Sequence, residues 1–397
     1  MGWYGGRRGA LVWTSAWQPG VLQPRARTVG ETRTPVAPWR ASLTLTTTGW
    51  RAGTYLIRLS TQRHASYIPL TVRSASTRGR LVLVTPDTTW QAYNDWGGRN
   101  LYWGPKGKGD YANRARAVSF DRPYAYGKGA GEYLSRMLPV VSLAERLQLP
   151  LAYADSIDLH RDPHLLDGAK GVITMGHDEY WSAPMRSHLA AARDRGTNIA
   201  FLGANAIYRR IRLQSTHLGP HRLEVNYKDP AEDPYSSTHP ALTTADWGAP
   251  PHPDPPSRLT GMSYACFPGT GDLVVADPSH WLLAGTGLHK GDRLPGALGP
   301  EFDAVVAGTP TPKPLDIVLR SPVSCGQYTH ADAVYYSTRS GAGVFNTGTM
   351  GWVAGLGGRY GKRTQHLEQR ITTTLLREFA AGPAGRKHPA HSPNPKR

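Results

Sequence analysis

Cysteine is nearly absent from this chain: Cys266 and Cys325 are the only two among 397 residues. That is too few for a zinc ribbon or for the dense disulfide framework of a small secreted domain. Both lie in the C-terminal third beside strand-like segments, so they are expected to be close enough in space to bridge. An exported protein could pair them, whereas a cytosolic one would keep two inert buried thiols. Long apolar runs are lacking too. None approaches the ~20 residues of a membrane-spanning helix, and Met1 to Arg8 has no long apolar stretch of the kind a secretory leader carries. Acidic residues are scarce, 29 against 46 Lys plus Arg, for a formal net charge of +17. Such a surface attracts polyanions, and salt-sensitive adhesion is expected. The arginines are spread along the whole chain, with one basic concentration, residues 384–397, read as a disordered tail. No helix-turn-helix, zinc-finger, RRM or KH signature is present, which speaks against a dedicated nucleic-acid reader.

What is present is enough for a substantial core. At 39% hydrophobic residues the chain suits two domains. Residues 1–76 show strand alternation without helix (Leu43 and Leu45; Tyr55, Ile57 and Leu59; Ile68, Leu70 and Val72) and predict a partial β-sandwich. Residues 77–383 read as an α/β domain. Its first strand is Leu81–Val84, followed by a long insertion, 93–126, rich in Gly, Trp, Tyr and Arg. Helical spacing over 132–148 is interrupted at Pro139. A second strand covers Leu151–Ala154, residues 229–256 form a surface excursion, and a terminal helix spans 363–380.

The chemistry gathers at Gly176-His177-Asp178-Glu179-Tyr180-Trp181, directly after the apolar run Gly171–Met175. The run reads as a buried strand. Ser182 is an N-cap, Pro184 lies in the first helical turn and Gly196 is a stop, so the cluster occupies a strand-to-helix loop. Two further strands feed polar loops in the same way: Leu81–Val84 leads to Trp90–Gly98, and Asn198–Gly203 to Ala204-Asn205. Ligands in open α/β sheets bind outside such carboxyl ends. Acids that merely favoured a helix N-terminus would be worth ~0.3–1 kcal/mol. That accounts for one acid, not for three loops.

Five segments together resemble the catalytic region of the large subunit of iron-dependent N,N-dimethylformamidase. They are Thr89-Trp90-Gln91-Ala92-Tyr93-Asn94, Val118–Tyr124, Gly176–Ser182, Gly203-Ala204-Asn205 and Gly299-Pro300-Glu301-Phe302-Asp303, in family order. The resemblance implies a class I glutamine amidotransferase-like α/β domain and a mononuclear ferric iron held by two tyrosinates and a glutamate. By position these are Tyr93, Tyr124 and Glu179, with Tyr126 and Tyr133 as competitors for the second phenolate. It also implies His177 and Glu301 as proton handlers, with a separate small subunit or a homo-oligomer as partner. Asn205 suits orienting a carbonyl or oxyanion, and Lys228 would add positive charge. The implied substrate is a small amide such as N,N-dimethylformamide. By the same resemblance Met1 falls inside a sandwich strand, so localisation stays open between cytoplasm and export. Phenolate and carboxylate are hard donors that suit such a cation. A phenol with an ordinary pKa of ~10 ionises there only beside positive charge.

Two other readings remain, the first from the fold alone and failing on the residues. A glutaminase-like cysteine hydrolase needs a cysteine on the turn that Gly176-His177-Asp178 occupies. A non-catalytic carbohydrate- or surface-binding protein is suggested by the 12 tryptophans.

Overall fold

The computed structural model describes residues 2–5 and 8–391, centred on a seven-stranded sheet. Its strands are β1 (Leu81–Thr85), β2 (Leu151–Asp155), β3 (Gly171–His177), β4 (Asn198–Ala204), β5 (Leu315–Cys325), β6 (Tyr328–Ser337) and β7 (Gly343–Asn346), in the order β5-β6-β7-β4-β3-β1-β2. The five from β7 to β2 are parallel; β6 and β5 add an antiparallel edge. β1, β3, β4 and β7 are buried at every residue, which explains why they read as apolar runs.

Successive side chains of these strands enter two separate cores. Leu83, Ile173 and Leu202 face one, with helices α2 (Leu138–Arg146) and α4 (Lys362–Ala381) packed over it; Val82, Val172 and Phe201 face the other, under α3 (Ala183–Asp194). The result is a three-layer α/β architecture, although nothing in it singles out the class I glutamine amidotransferase fold. Ser182 caps α3 as expected, its hydroxyl accepting the Met185 N–H at 3.4 Å. The helical stretch near Pro139 divides into Gly131–Arg136 and α2. From β1 the chain runs to β2 at the sheet edge and returns as β3 on the other flank of β1. The carboxyl ends of β1 and β3 therefore border a topological switch point.

The N-terminal segment differs from expectation. Gly53–Ser60 and Ala65–Val72 form a hairpin that, with Gly2–Gly5 and Arg8–Leu11, makes one four-stranded antiparallel sheet. Leu43 and Leu45 lie in an irregular stretch, and Met1 is outside the described residues. One face of this sheet meets the α/β body: Leu56 enters the first core and Thr54 Oγ1 meets Tyr133 Oη at 2.8 Å, while Leu59 and Ile68 are exposed.

A second four-stranded sheet (Tyr180–Ser182, Arg209–Thr216, Gly219–Val225, Ala117–Ser119) stands beside the switch point. Cys266 and Cys325 are joined in a disulfide with Cα atoms 6.3 Å apart. The expected disordered tail is docked as far as His391. Ala384 and Ala390 are buried, the His388 carbonyl accepts from Tyr335 Oη at 2.8 Å, and the His388 ring stacks on Trp281 at 4.4 Å. Residues 392–397 are outside the described residues. No helix among those described is long and apolar enough to cross a membrane.

Candidate active site

The loop after β3 is held through its own backbone groups. Thr89 Oγ1, on helix α1 (Asp87–Ala92), accepts from the N–H groups of Glu179 at 2.9 Å and Tyr180 at 3.1 Å. The Glu179 and Asp178 carbonyls accept from Arg209 N–H at 2.9 Å and Ile207 N–H at 3.0 Å. Two glycines allow the close approach. Gly176 has φ +75°, and a Cβ on Gly203 would stand 2.4 Å from the Gly176 carbonyl oxygen. A side chain at Gly203 would push the ends of β3 and β4 apart, and one at Gly176 would run into Arg136.

Three oxygens converge on this loop. Tyr93 Oη, just past α1, lies 2.5 Å from Glu179 Oε2 and 2.6 Å from Tyr102 Oη. Tyr102 Oη is 2.8 Å from Glu179 Oε1 and 3.0 Å from Oε2, and the two rings stack at 4.4 Å. Arg209 Nε approaches Glu179 Oε1 at 3.4 Å while its guanidinium also binds Asp246. Burial first, and then the Glu179 charge, hold both phenols well above the ordinary tyrosine range.

His177, Glu301 and Asn205 form the opposite wall. His177 Nε2 stands 3.4 Å from both Glu179 Oε2 and Glu301 Oε2, too long for well-formed hydrogen bonds, and counts as an unpartnered buried nitrogen. Burial disfavours its imidazolium, yet Glu301 and then Glu179 outweigh that, so its pKa is raised. For Glu301 burial is likewise outweighed, chiefly by His177 and then by the Asn205 amide, so its pKa is lowered. Asn205 Nδ2 donates to Glu301 Oε2 at 2.8 Å. The Asn205 N–H donates to Asp303 Oδ1 at 2.8 Å, fixing a residue that sits at φ +57°.

Tyr124, unlike Tyr102, makes no hydrogen bond to Glu179, although it lines one small cavity with Tyr93. Its ring packs edge-on against Trp90 at 6.2 Å, and the charges around its hydroxyl are Asp87, Arg122 and Glu224 rather than Glu179. The insertion carries Tyr124 behind α1, while its earlier part, Asn100-Leu101-Tyr102, folds back on Tyr93: the Leu101 N–H donates to the Ala92 carbonyl at 3.0 Å. Tyr126, the other competitor, is 60% exposed, and Tyr133 bonds Thr54. Tyr102 and Arg209 were not singled out by sequence. The available signal for Tyr102 was the aromatic density of the insertion. Lys228 is buried, with Nζ 2.5 Å from Tyr180 Oη and 3.6 Å from the centre of the Tyr102 ring. Burial and then Arg209 push its pKa well below the lysine range.

Among the described residues no group of three or more His, Cys, Asp or Glu side chains is arranged to hold a metal ion. A metal here would therefore depend on the two phenols. They fit a hard cation: three oxygens within 2.5–3.0 Å of one another share protons that a cation could replace. The unpartnered His177 nitrogen faces the same space.

A buried constellation of acids, phenols and an imidazole at the switch point of a parallel sheet is the arrangement of an α/β enzyme. Residues 1–366 match the family described as N,N-dimethylformamidase beta subunit-like, C-terminal, and the chain belongs to that family. No curated protein matches the chain. Family membership supports an enzymatic, amidohydrolase-type function.

Proposed function

We propose that the protein hydrolyses a small amide of formamide type, such as N,N-dimethylformamide to formate and an amine, using a ferric ion held by Tyr93, Tyr102 and Glu179. The observation that carries this reading is the convergence of both tyrosine hydroxyls on the Glu179 carboxylate, with His177 Nε2 at 3.4 Å on the far side. Iron bound there would supply Lewis acidity toward a carbonyl oxygen and a water molecule. The chain's own residues handle the protons. Hydrolysis adds water across the C–N bond, so one proton must leave the water and one must reach the departing nitrogen. His177 Nε2, poised between Glu179 and Glu301, holds and relays that proton. Asn205 keeps Glu301 Oε2 aimed at His177 and presents an unpartnered Oδ1 within the buried site. A small subunit or self-association belongs to the same reading.

The rival readings have less support. Of the tryptophans, Trp90, Trp181, Trp247 and Trp352 are buried and so are not available to a binding face. The cysteines are bonded to each other, which removes the nucleophile a glutaminase-like hydrolase needs. Metal analysis with a visible spectrum and a small-amide panel tests the proposal. About one iron per chain, a tyrosinate charge-transfer band and acid release are expected. Iron-loaded protein that hydrolyses no formamide or acetamide overturns the activity, and protein that retains no iron overturns the ligand set.

A further inference from the structure

A cleft of about 680 Å³ opens far from the proposed catalytic residues. Its wall includes Tyr336 and Ser337 at the end of β6, and Ser337 pairs with Gly343, the first residue of β7. The cleft therefore lies at the amino-terminal edge of the parallel strands, opposite the carboxyl-end rim that carries Glu179.

Its charge is one-sided. Arg193, Arg258, Lys313 and Arg339 line it, and no acid does. The nearby counter-charges are Asp194, 2.8 Å from Arg193 Nε, and Asp254, which Arg258 at 3.7 Å shares with Arg186 at 3.0 Å. Lys313 and Arg339 have no acid partner among the described residues. Four cations thus line the cleft with two carboxylates beside them, one of which is shared with Arg186, leaving an excess of positive charge in a concave site. Arg193 is fixed at the floor, its guanidinium donating to the Arg258 carbonyl at 3.2 Å and Tyr336 Oη at 3.3 Å. Pro310, Pro312 and Pro314 form one wall. Proline has a locked φ, so this wall loses little entropy when a ligand binds.

We propose that this cleft binds a small multivalent oxyanion, bearing phosphate or carboxylate groups held by Arg258, Lys313 and Arg339. The test is calorimetric titration of the full chain at low salt with tripolyphosphate and, separately, citrate. Arg258→Glu/Lys313→Glu is compared with the remote exposed pair Arg63→Glu/Lys290→Glu. One site per chain is expected, weakened roughly tenfold or more by the cleft pair and less than about twofold by the remote pair. Tighter tripolyphosphate assigns the groups as phosphate, and tighter citrate as carboxylate. Equal weakening by both pairs would mean attraction to the +17 chain as a whole and would overturn the proposal. So would unaltered binding in the cleft variant, or no binding to the native chain. Circular dichroism checks the fold; if the double variant does not fold, Lys313→Ala carries the same comparison.

Discussion

Two buried carboxylates, in different parts of the molecule, are treated in opposite ways. Glu179 at the sheet rim accepts from two phenols and approaches a guanidinium and an imidazole. Glu368 on α4, packed against the backbone of Gly355, has neither oxygen hydrogen-bonded. Burial alone raises the pKa of Glu368 well above the ordinary value. Both glutamates are at most 1% exposed, so desolvation does not distinguish them. Donors do. A buried acid surrounded by donors can carry charge and act on it, whereas a buried acid without them stays protonated.

The comparison breaks most visibly at the donor-rich end. Glu179→Ala should lose iron and amide hydrolysis together, read by metal analysis and turnover. Tyr102→Phe should weaken the visible band and iron retention, while Tyr124→Phe should leave both near the native level. Iron lost from the Tyr124 variant but not from the Tyr102 variant would reverse the assignment. Next in size, His177→Ala and Glu301→Gln should cost roughly 10²–10⁴ in rate with the iron spectrum kept, the usual scale for a lost proton handler. Loss of the spectrum in His177→Ala would make the histidine a ligand.

A donor-rich acid outside the site sharpens the contrast. Asp332 accepts from Arg320 Nε at 2.8 Å and the Val305 N–H at 2.9 Å; burial is outweighed by His330 and Arg320, so its pKa is lowered. Its stabilising charge is present above the unfolded-state pKa and is lost as pH falls through the folded one. Asp332→Ala should therefore cost about 3 kcal/mol at neutral pH, the low end for a broken buried pair because Arg320 is partly in water. The cost should shrink in acid, as read by denaturant unfolding. An undiminished cost at low pH would mean that packing, not charge, is responsible.

The sheet was legible because β1, β3 and β4 are buried on both faces and so declare themselves as apolar runs; Ser182 and Pro139 mark helix boundaries by local chemistry alone. Tyr93, His177, Glu179 and Asn205 end or follow such strands or their first helix and were legible with them. Tyr102 was not. It comes from an irregular insertion without periodicity, and its bond to Glu179 spans 77 residues. For the N-terminal sheet, alternation reveals a buried face but not what covers it; here Leu56 packs into the α/β body while Leu59 and Ile68 stay exposed. The tail's composition suggested disorder, but long-range contacts to Tyr335 and Trp281 hold its first part.

The smallest effect concerns the donor-poor acid itself. Glu368 has no hydrogen-bonding partner to lose, so Glu368→Met, which keeps an unbranched chain of similar length, should remove only a penalty. The sign follows from linkage. An acid whose folded pKa is raised binds its proton more tightly when folded, so the native protein loses stability as pH rises from the unfolded-state value toward the folded one. The methionine variant lacks that loss. Its advantage should be small near pH 4 and grow to about 1–3 kcal/mol by pH 8, the scale of an unsatisfied buried polar group. Denaturant midpoints of the two proteins across that range provide the measurement. A variant less stable than native at pH 8, or an advantage that does not grow with pH, would mean that Glu368 is ionised and partnered in solution, and the contrast with Glu179 would fail.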